Sequence, residues 1–263
     1  MGLFRQIFKP LFMYYRNPEY REYLRVQDAC RNKDNQHVIV ELNGFTIECN
    51  DGPSLLHQYE EIVRRKSFDF TPKNDSPVIF CCGANIGLEV LRLGNQYPKA
   101  RIKAYEADPQ IFSLLQRNIT GNKISAEAYN AAVHTENGTV KFQSDGKLGG
   151  KTGTGSMEIK SIRFSEVLGK EDRVDLLIMD IEGAENEVLQ DCADQLHKVE
   201  NLFVEWHGSQ QSPQQLSEFL NLLKQSGFRY RLNNNIGISP FVNPVSENGF
   251  DAMVEIYATQ ARR

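Results

Sequence analysis

The sequence lacks several features that would assign it to a class at once. No apolar stretch approaches the roughly 18 residues that a membrane-spanning helix needs. No region concentrates lysine or arginine, and the net charge of −4 comes from acids and bases mixed along the chain. Nucleic-acid-binding proteins usually carry a concentrated basic surface. We therefore expect neither a membrane-spanning protein nor a nucleic-acid partner.

Cysteine is scarce and irregularly spaced. The chain has five cysteines, and none forms a CxxC pair: Cys30, Cys49, Cys81, Cys82 and Cys192. The odd number and uneven spacing argue against a disulfide scaffold and favour a reducing, cytoplasmic location. Cys81 and Cys82 end an apolar run, which predicts buried thiols.

The first 30 residues are predicted to be helical, with a break near Asn17–Pro18. Apolar residues recur at helical spacing from Phe4 to Tyr15 with basic residues between them, and they lack the continuous apolar core of a signal peptide. Such an amphipathic helix most often packs on its own domain or on a partner subunit. A peripheral position on a membrane surface is the alternative.

The next segment is predicted to extend this N-terminal region. His37–Glu48 has the pattern of a β-hairpin with Asn43–Gly44 as its tight turn. Leu55–Lys66 is predicted to be an amphipathic helix, and Thr71–Pro77 is a polar linker bounded by prolines. We therefore assign residues 1–76 to a helical and hairpin extension.

From residue 77 to residue 263, short apolar strands alternate with helices, which is typical of parallel βαβ units in an α/β domain. The predicted strands are Val78–Cys82, Ala100–Tyr105, Ala126–Asn130, Thr139–Gln143, Glu158–Phe164, Asp175–Met179, Asn201–Trp206, Phe228–Leu232 and Ala252–Ala258. Helices are predicted after the first strand through Leu93, and over Pro109–Ile119, Ala184–Cys192 and Ser212–Gln225. The 263 residues, 40% of them apolar, suffice for one such domain with a small appendage.

The stretch Ser144–Ser156 is rich in glycine, lysine and serine. It lacks the GxxxxGK[ST] register, between a strand and a helix, that a phosphate cradle requires. We therefore predict a flexible loop, of the kind that often covers a substrate.

A glycine turn follows the first buried strand. The segment Val78–Leu88 reads VIFCCGANIGL, so Gly83, Asn85 and Gly87 lie between a strand and a helix. Glycine lets the backbone approach a ligand closely, and the helix start offers free N–H groups. The turn predicts a nucleotide-type site at the carboxyl edge of the sheet. Its spacing differs from GxGxxG, which disfavours a dinucleotide, and a purely structural turn stays open.

An acid lies roughly 20 residues beyond this turn, the usual distance of a ribose-binding carboxylate. It is Glu106, at the end of the second predicted strand, where both of its oxygens can accept bonds from ribose hydroxyls. The alternative is an exposed acid at a strand end. Asp108–Pro109 is predicted to cap the next helix.

A third group of acids follows the strand Asp175–Met179. Asp180 ends this strand, and Glu182 and Glu185 follow within one turn. Carboxylates at a strand tip can bind a divalent metal or a cationic cosubstrate, whereas acids at a helix start can simply favour its dipole. We favour function for Asp180 and the helix-start role for Glu185.

A histidine ends the next strand, in the segment Phe203–Gly208. His207 should reach the same crevice, because the carboxyl ends of parallel strands meet at one edge of the sheet. A neutral histidine is suited to deprotonating an alcohol near pH 7. A histidine that only holds the loops together is the alternative.

These motifs, in this order, resemble the FkbM family of methyltransferases: CCGANIG, YEADP, NAAV, MDIEGAE and VEWH. The resemblance covers about Val78–His207. It implies a Rossmann-like class I methyltransferase fold, with a mostly parallel seven-stranded sheet, one reversed edge strand and helices on both faces. It also implies S-adenosyl-L-methionine as cofactor, and O-methylation of a sugar, glycan or natural-product hydroxyl.

The resemblance also implies roles for individual residues. Gly83, Ala84 and Asn85 would line the methionine part of the cofactor, Glu106 would hold the ribose, and Ala131 and Ala132 would lie near the adenine. The complete candidate cofactor set is Cys82, Gly83, Ala84, Asn85, Glu106, Ala107, Asp108, Ala131, Ala132 and Asp180. The candidate catalytic residues are His207, Asp180 and Glu182, with His207 as general base; metal ligands stay unassigned.

Two positions depart from the family pattern. The family usually has an acid where this chain has Cys81, and often a lysine where it has Ile178. The first departure concerns how the cofactor's amino group is held, and the second concerns the substrate. Two rival functions therefore stay open: a non-catalytic binding protein with the methyltransferase fold, and an NAD-dependent enzyme on a similar fold.

Overall fold

A computed structural model describes residues 17–34, 36–144, 150–153, 155–209, 213–233, 250 and 252–261. The helix predicted over Phe4–Tyr15 lies outside these ranges. Among the described residues, no helix is both long enough and apolar enough to cross a bilayer.

The N-terminal extension begins with helix α1 (Pro18–Cys30), whose first turn is capped by the Asn17 side chain. Strands β1 (Val38–Leu42) and β2 (Phe45–Cys49) then form the predicted antiparallel hairpin. Its two turn residues, Asn43 and Gly44, have φ values of 50° and 82°. Positive φ at both positions is what a two-residue hairpin turn requires, so this prediction is confirmed.

The next helix differs from its prediction over Leu55–Lys66. Helix α2 (Gly52–Gln58) begins earlier, because the Asp51 carboxylate caps it by accepting a hydrogen bond from the Ser54 N–H at 3.0 Å. The chain then continues as a π-helical turn over Tyr59–Arg64. Turns of this kind occur frequently at functional sites.

The predicted strand–helix alternation is present after residue 77. The strands are β3 (Val78–Cys82), β4 (Arg101–Glu106), β5 (Glu127–Asn130), β6 (Ala132–His134), β7 (Gly138–Gln143), β8 (Lys151–Thr152), β9 (Met157–Arg163), β10 (Val174–Met179), β11 (Val199–Gly208), β12 (Phe228–Asn233) and β13 (Ala252–Gln260). The helices are α3 (Leu88–Gln96), α4 (Pro109–Gly121), α5 (Phe164–Gly169), α6 (Glu185–Asp191) and α7 (Leu216–Gln225), with a 3₁₀ turn at Leu196–Lys198.

Seven strands form the main sheet in the order β12-β13-β11-β10-β3-β4-β5. Among the described strands of this sheet, β13 runs opposite to all the others, so it is antiparallel to both of its neighbours, β11 and β12. The mostly parallel α/β sheet is thus confirmed, but the reversed strand lies next to the edge and not at it. Strand β13 follows β12 in the chain but lies between β12 and β11 in the sheet. Strand β12 therefore forms the edge.

Two further predictions are corrected. Part of the predicted loop Ser144–Ser156 is strand β8, which pairs with β7 in a smaller four-stranded sheet; positions 145–149 and 154 lie outside the described residues. Helix α7 begins at Leu216. Its predicted start, Ser212, is also outside the described residues, and Pro213–Gln215 are not helical.

Apolar side chains cover both faces of the main sheet. One buried cluster joins Ile79 and Phe203 of the sheet to Val26 and Leu55 of the N-terminal extension. The extension therefore packs directly on one face of the sheet, above its carboxyl edge. The boundary at residue 76 stays a prediction, since the two parts share this cluster.

Candidate active site

The glycine turn brings two strand ends into contact. Gly83 has a φ of 82°, and its N–H and that of Ala84 both donate to the Tyr105 carbonyl, at 3.0 and 2.8 Å. A Cβ atom at position 83 would lie 1.7 Å from the carbonyl oxygen of Asp180. Only glycine fits here, because both the backbone conformation and the neighbouring strand exclude a side chain.

Glu106 is fixed between the turn and the start of helix α4. Its Oε2 accepts a hydrogen bond from the Asn85 N–H at 2.9 Å, and its Oε1 accepts one from the Asp108 N–H at 2.8 Å. The Asn85 Oδ1 in turn accepts from Gln58 Nε2 at 2.9 Å. Both carboxylate oxygens retain lone pairs for a ligand. Burial raises the pKa of Glu106 to about 7, although the backbone hydrogen bonds lower it.

The tips of β4 and β5 are linked beside this carboxylate. The Asn130 side chain donates to the carbonyls of Glu106 and Ala107 at 2.9 and 3.0 Å. The Ala131 N–H donates to the Glu106 carbonyl at 3.1 Å. These bonds place Ala131 and Ala132 in the wall of the cleft.

The cleft contains most of the predicted cofactor residues. Those that line it are Gly83, Asn85, Glu106, Ala107, Asp108, Ala131, Ala132 and Asp180. Cys82 and Ala84 are each 1% exposed and do not line it. Their part in cofactor binding therefore stays a prediction. The Asp108 carboxylate also caps helix α4, by accepting from Gln110 N–H at 2.8 Å and Ile111 N–H at 3.3 Å.

The candidate base is held by two carboxylates. His207 Nδ1 lies 3.2 Å from Glu185 Oε1, and its Nε2 lies 3.8 Å from Glu182 Oε2. The same oxygen of Glu185 accepts hydrogen bonds from the N–H groups of Ile181 and Gly183, at 3.2 and 3.0 Å. Glu185 is fully buried. Glu185 lies in the first turn of α6, as predicted, and its carboxylate also contacts the histidine ring.

These carboxylates determine the charge of His207. Burial alone would lower its pKa, but Glu185, Asp180 and Glu182 together raise it to about 10. These three carboxylates therefore favour the protonated form of the ring, and a neutral His207 acting as base stays a prediction. Burial and Glu205 raise the pKa of Asp180 well above its ordinary value, while His207 lowers it.

Asp180, Glu185 and His207 each offer one ligand atom, and these atoms lie within 4.8 Å of one another. As metal ligands, His207 would have to be neutral and both carboxylates ionised. Metal ligands stay unassigned.

Sequence reasoning missed part of the cleft wall. Among the residues it missed are His57, Gln58 and Glu61 of the extension, Glu89 of α3, Phe142 of β7, and Glu205 and Met253 of the sheet. The three residues of the extension carry no motif, because only the packing of the extension onto the sheet brings them to the turn. The two departures from the family pattern, Cys81 and Ile178, are aligned side by side in β3 and β10.

Acids dominate the polar wall of the cleft. They are Glu61, Glu89, Glu106, Asp108, Asp180, Glu182 and Glu205. Among the described lining residues there is no lysine or arginine. A cleft of this composition attracts a cation and repels a pyrophosphate.

Several buried groups in the cleft keep their protons to unusually high pH. Burial raises the pKa of Glu61 to about 7, of Glu89 to about 8 and of Glu106 to about 7, and neighbouring carboxylates raise each further. The ordinary value is 4.5 for each, and 6.5 for His207. The folded protein therefore holds more protons than the unfolded chain across neutral pH.

We expect the free energy of unfolding of the cofactor-free protein to fall as the pH rises from about 6 to about 9. A group whose pKa is raised by folding contributes stability below its unfolded pKa and loses that contribution as the pH rises through its folded pKa. Urea denaturation at several pH values measures this. Glu89→Gln, which cannot titrate, should show a shallower fall. A stability that is constant or rises over this range would contradict the assignment.

The fold and the site define a Rossmann-like methyltransferase. The mostly parallel seven-stranded sheet carries the glycine turn, Glu106 and Asp180 on neighbouring strand tips. A model of the methyltransferase FkbM domain matches residues 82–230. The chain belongs to this family, which confirms the resemblance seen in its motifs.

The chain is also similar to individual methyltransferases. The chain is 30% identical over 215 residues to methyltransferase sdnD of Sordaria araneosa, covering 65% of this chain and 80% of that protein. It is 28% identical over 195 residues to methyltransferase 1 of Beauveria bassiana, covering 61% and 78%. The crystal structure of methyltransferase FkbM from Methylobacillus flagellatus is similar in fold, with a TM-score of 0.50 and 16% identity over 76% of this chain and 48% of that chain.

Proposed function

We propose that this methyltransferase uses S-adenosyl-L-methionine to methylate a hydroxyl group of a small molecule, which is a sugar or glycan or a natural product. The acidic cleft beside the glycine turn carries this proposal. In the part of the chain that the structure describes, buried oxygens of Glu89 and Asp180 have no hydrogen-bond partner. Unpaired buried carboxylate oxygens suit a cationic ligand.

Different residues of the cleft would contact different parts of the cofactor. Glu106 would accept bonds from both ribose hydroxyls, beside the adenine pocket at Ala131 and Ala132. Gly83 and Asn85 would hold the methionine part on the other side. Asp180, at the tip of the next strand, would face the reacting end. This division follows the order of the strand tips along the carboxyl edge of the sheet.

His207 would act as the general base. When bound, the cofactor supplies a methyl group on a positively charged sulfur. A positive charge near Asp180 and Glu182 competes with the imidazolium for these carboxylates, so the pKa of His207 should fall on loading. Neutral His207 would then take the hydroxyl proton as the new oxygen–carbon bond forms and the carbon–sulfur bond breaks. Glu185 would keep its ring in place through Nδ1.

Calorimetric titration of the purified protein tests the choice of cofactor. We expect binding of S-adenosylmethionine and of S-adenosylhomocysteine, and no binding of NAD, whose pyrophosphate meets an acidic wall. Tight NAD binding without S-adenosylmethionine binding would favour the rival dehydrogenase. Cofactor binding without methyl transfer to any sugar, glycan or polyketide hydroxyl, measured with a labelled methyl group, would favour the non-catalytic alternative.

Glu106→Ala should weaken S-adenosylmethionine binding by about 1–3 kcal/mol, because the ribose hydroxyls then lose a charged acceptor. Calorimetry measures the change, and a thermal melt checks that the variant is folded. As a control, Glu127→Ala removes an exposed acid from the adjacent strand β5 and should leave affinity unchanged. An unchanged affinity in folded Glu106→Ala would remove the ribose assignment.

We also propose the surroundings of the protein from its cysteines and its charge pattern. All five cysteines are free and buried, which is compatible with a reducing, cytoplasmic location. The absence of a nucleic-acid partner stays a prediction from the charge pattern. Contact of the N-terminal helix with a membrane or subunit stays a prediction as well.

A further inference from the structure

Glu89 is a buried acid with an incomplete set of partners. It lies in the first turn of α3, directly after the glycine turn, and is only 6% exposed. Its Oε1 has no hydrogen-bond partner among the described residues, yet the side chain lines the cleft. An ionised carboxylate in such a place is unfavourable unless a cation or a donor joins it.

The surroundings of Glu89 supply no cation. The carboxylates of Glu106 and Glu61 raise its pKa, as burial does. Glu89 in turn raises the pKa of the Cys81 thiol at the end of β3. No lysine or arginine stands among the described residues of the cleft wall. The Glu89 side chain thus lines the cleft with one buried oxygen that no described group pairs.

A purely local role does not account for this placement. An acid in the first turn of a helix is favoured by the helix dipole, but that effect is available to an exposed side chain. Glu218, in the first turn of α7, has this exposed position. The Glu89 side chain instead turns into the cleft, where the loss of surrounding water makes its ionised form less stable.

We propose that Glu89 binds the α-ammonium group of S-adenosylmethionine. This inference rests on the proposed function. Glu106 occupies the ribose position, and Asp180 with His207 occupies the reacting end. Glu89 is the remaining buried acid at the glycine turn, where the methionine part would lie. Because Cys81 carries no charge, Glu89 supplies from the helix the negative charge that the end of β3 lacks.

The test compares two ligands that differ only in the ammonium group. Calorimetry is performed with S-adenosylhomocysteine and with its deamino analogue, on wild type and on Glu89→Gln. We expect Glu89→Gln to bind S-adenosylhomocysteine about 10–100-fold more weakly, the range for a hydrogen bond to a charged group. Its affinity for the deamino analogue should stay within about twofold of wild type, because that ligand never makes the contact.

Controls separate this role from a structural one. Glu218→Gln removes an exposed first-turn acid and should bind both ligands as wild type does. Glu89→Gln should melt no lower than wild type, since the amide has nearly the shape of the carboxyl group and cannot ionise. Glu89→Asp keeps the charge on a shorter side chain and should lose less affinity than Glu89→Gln.

Four outcomes would overturn the inference. The first is that Glu89→Gln binds S-adenosylhomocysteine as tightly as wild type. The second is an equal loss of affinity for both ligands, which would mean that Glu89 only shapes the cleft. A loss seen with S-adenosylmethionine but not with S-adenosylhomocysteine would assign Glu89 to the sulfonium. If wild type bound none of these ligands, the proposed function itself would fail, and this outcome is distinct from the other three.

Discussion

His207→Ala should lower kcat by about 10²–10⁴-fold, the range that a well-placed general base contributes, while cofactor affinity changes little. The geometry supports a base at this position. The ring is buried, and Glu185 fixes its Nδ1 at 3.2 Å. An alcohol is a poor nucleophile while it keeps its proton, so loss of the acceptor affects the chemical step. Initial-rate assays with a labelled methyl group, together with calorimetry, separate kcat from binding.

His207→Asn provides the matched control, since asparagine keeps a hydrogen bond but cannot accept the proton at neutral pH. We expect it to be nearly as slow as His207→Ala. Near-native turnover in either variant would mean that the histidine is structural, and Glu182 would become the leading candidate for the base. Loss of cofactor binding in both variants would instead place His207 in the cofactor site.

Glu185→Gln tests the positioning role in the same assay. Removing its negative charge should lower the pKa of His207, because Glu185 is the largest of the influences that raise it. The pH profile of kcat should therefore shift to lower pH. A role in folding alone would reduce the amount of active protein without moving this profile.

Gly83→Ala should destabilise the protein by roughly 3 kcal/mol and abolish cofactor binding. The added Cβ would lie 1.7 Å from the Asp180 carbonyl oxygen, and the φ of 82° is strained for any residue with a side chain. Backbone shifts forced by overpacking cost about 1–3 kcal/mol, and a left-handed conformation adds about 1–2 kcal/mol. The shift would separate the tips of β3 and β10, which form part of the proposed cofactor site.

Two other glycines serve as controls for this change. A Cβ atom at Gly121 or Gly169 would meet nothing within 4 Å, and neither residue has a positive φ. Gly121→Ala and Gly169→Ala should therefore keep stability and binding near those of wild type. Urea denaturation and calorimetry report both quantities. Equal behaviour of Gly83→Ala and these controls would show that the turn tolerates a side chain.

The local elements were largely predictable from the sequence. β3 was predicted at its exact bounds, Val78–Cys82, and the hairpin at Asn43–Gly44 was also correct. Both depend on short-range signals, namely a continuous apolar run and a turn that requires positive φ. The prediction of a loop over Ser144–Ser156 was wrong at Lys151–Thr152, which form strand β8. This strand exists only through its pairing with β7.

The candidate site was predictable where a residue ends a strand. Glu106, Asp180 and His207 all line one cleft, as expected from the common direction of their strands. The burial of Glu185 beside His207 and the place of Glu89 in the cleft wall were not predictable. Both residues are acids in the first turn of a helix, where the sequence pattern is the same whether the side chain faces solvent or the interior.

The sequence by itself determined the family, the seven strands of the main sheet in approximate position, and the residues at the strand tips. These depend on motifs and on apolar periodicity, which act over a few residues. Only the tertiary structure decided that β13 lies inside the edge, that the extension walls the cleft, and that carboxylates surround His207. Each of these depends on residues far apart in the chain, whose burial and electric fields arise only once the sheet and the extension have packed together.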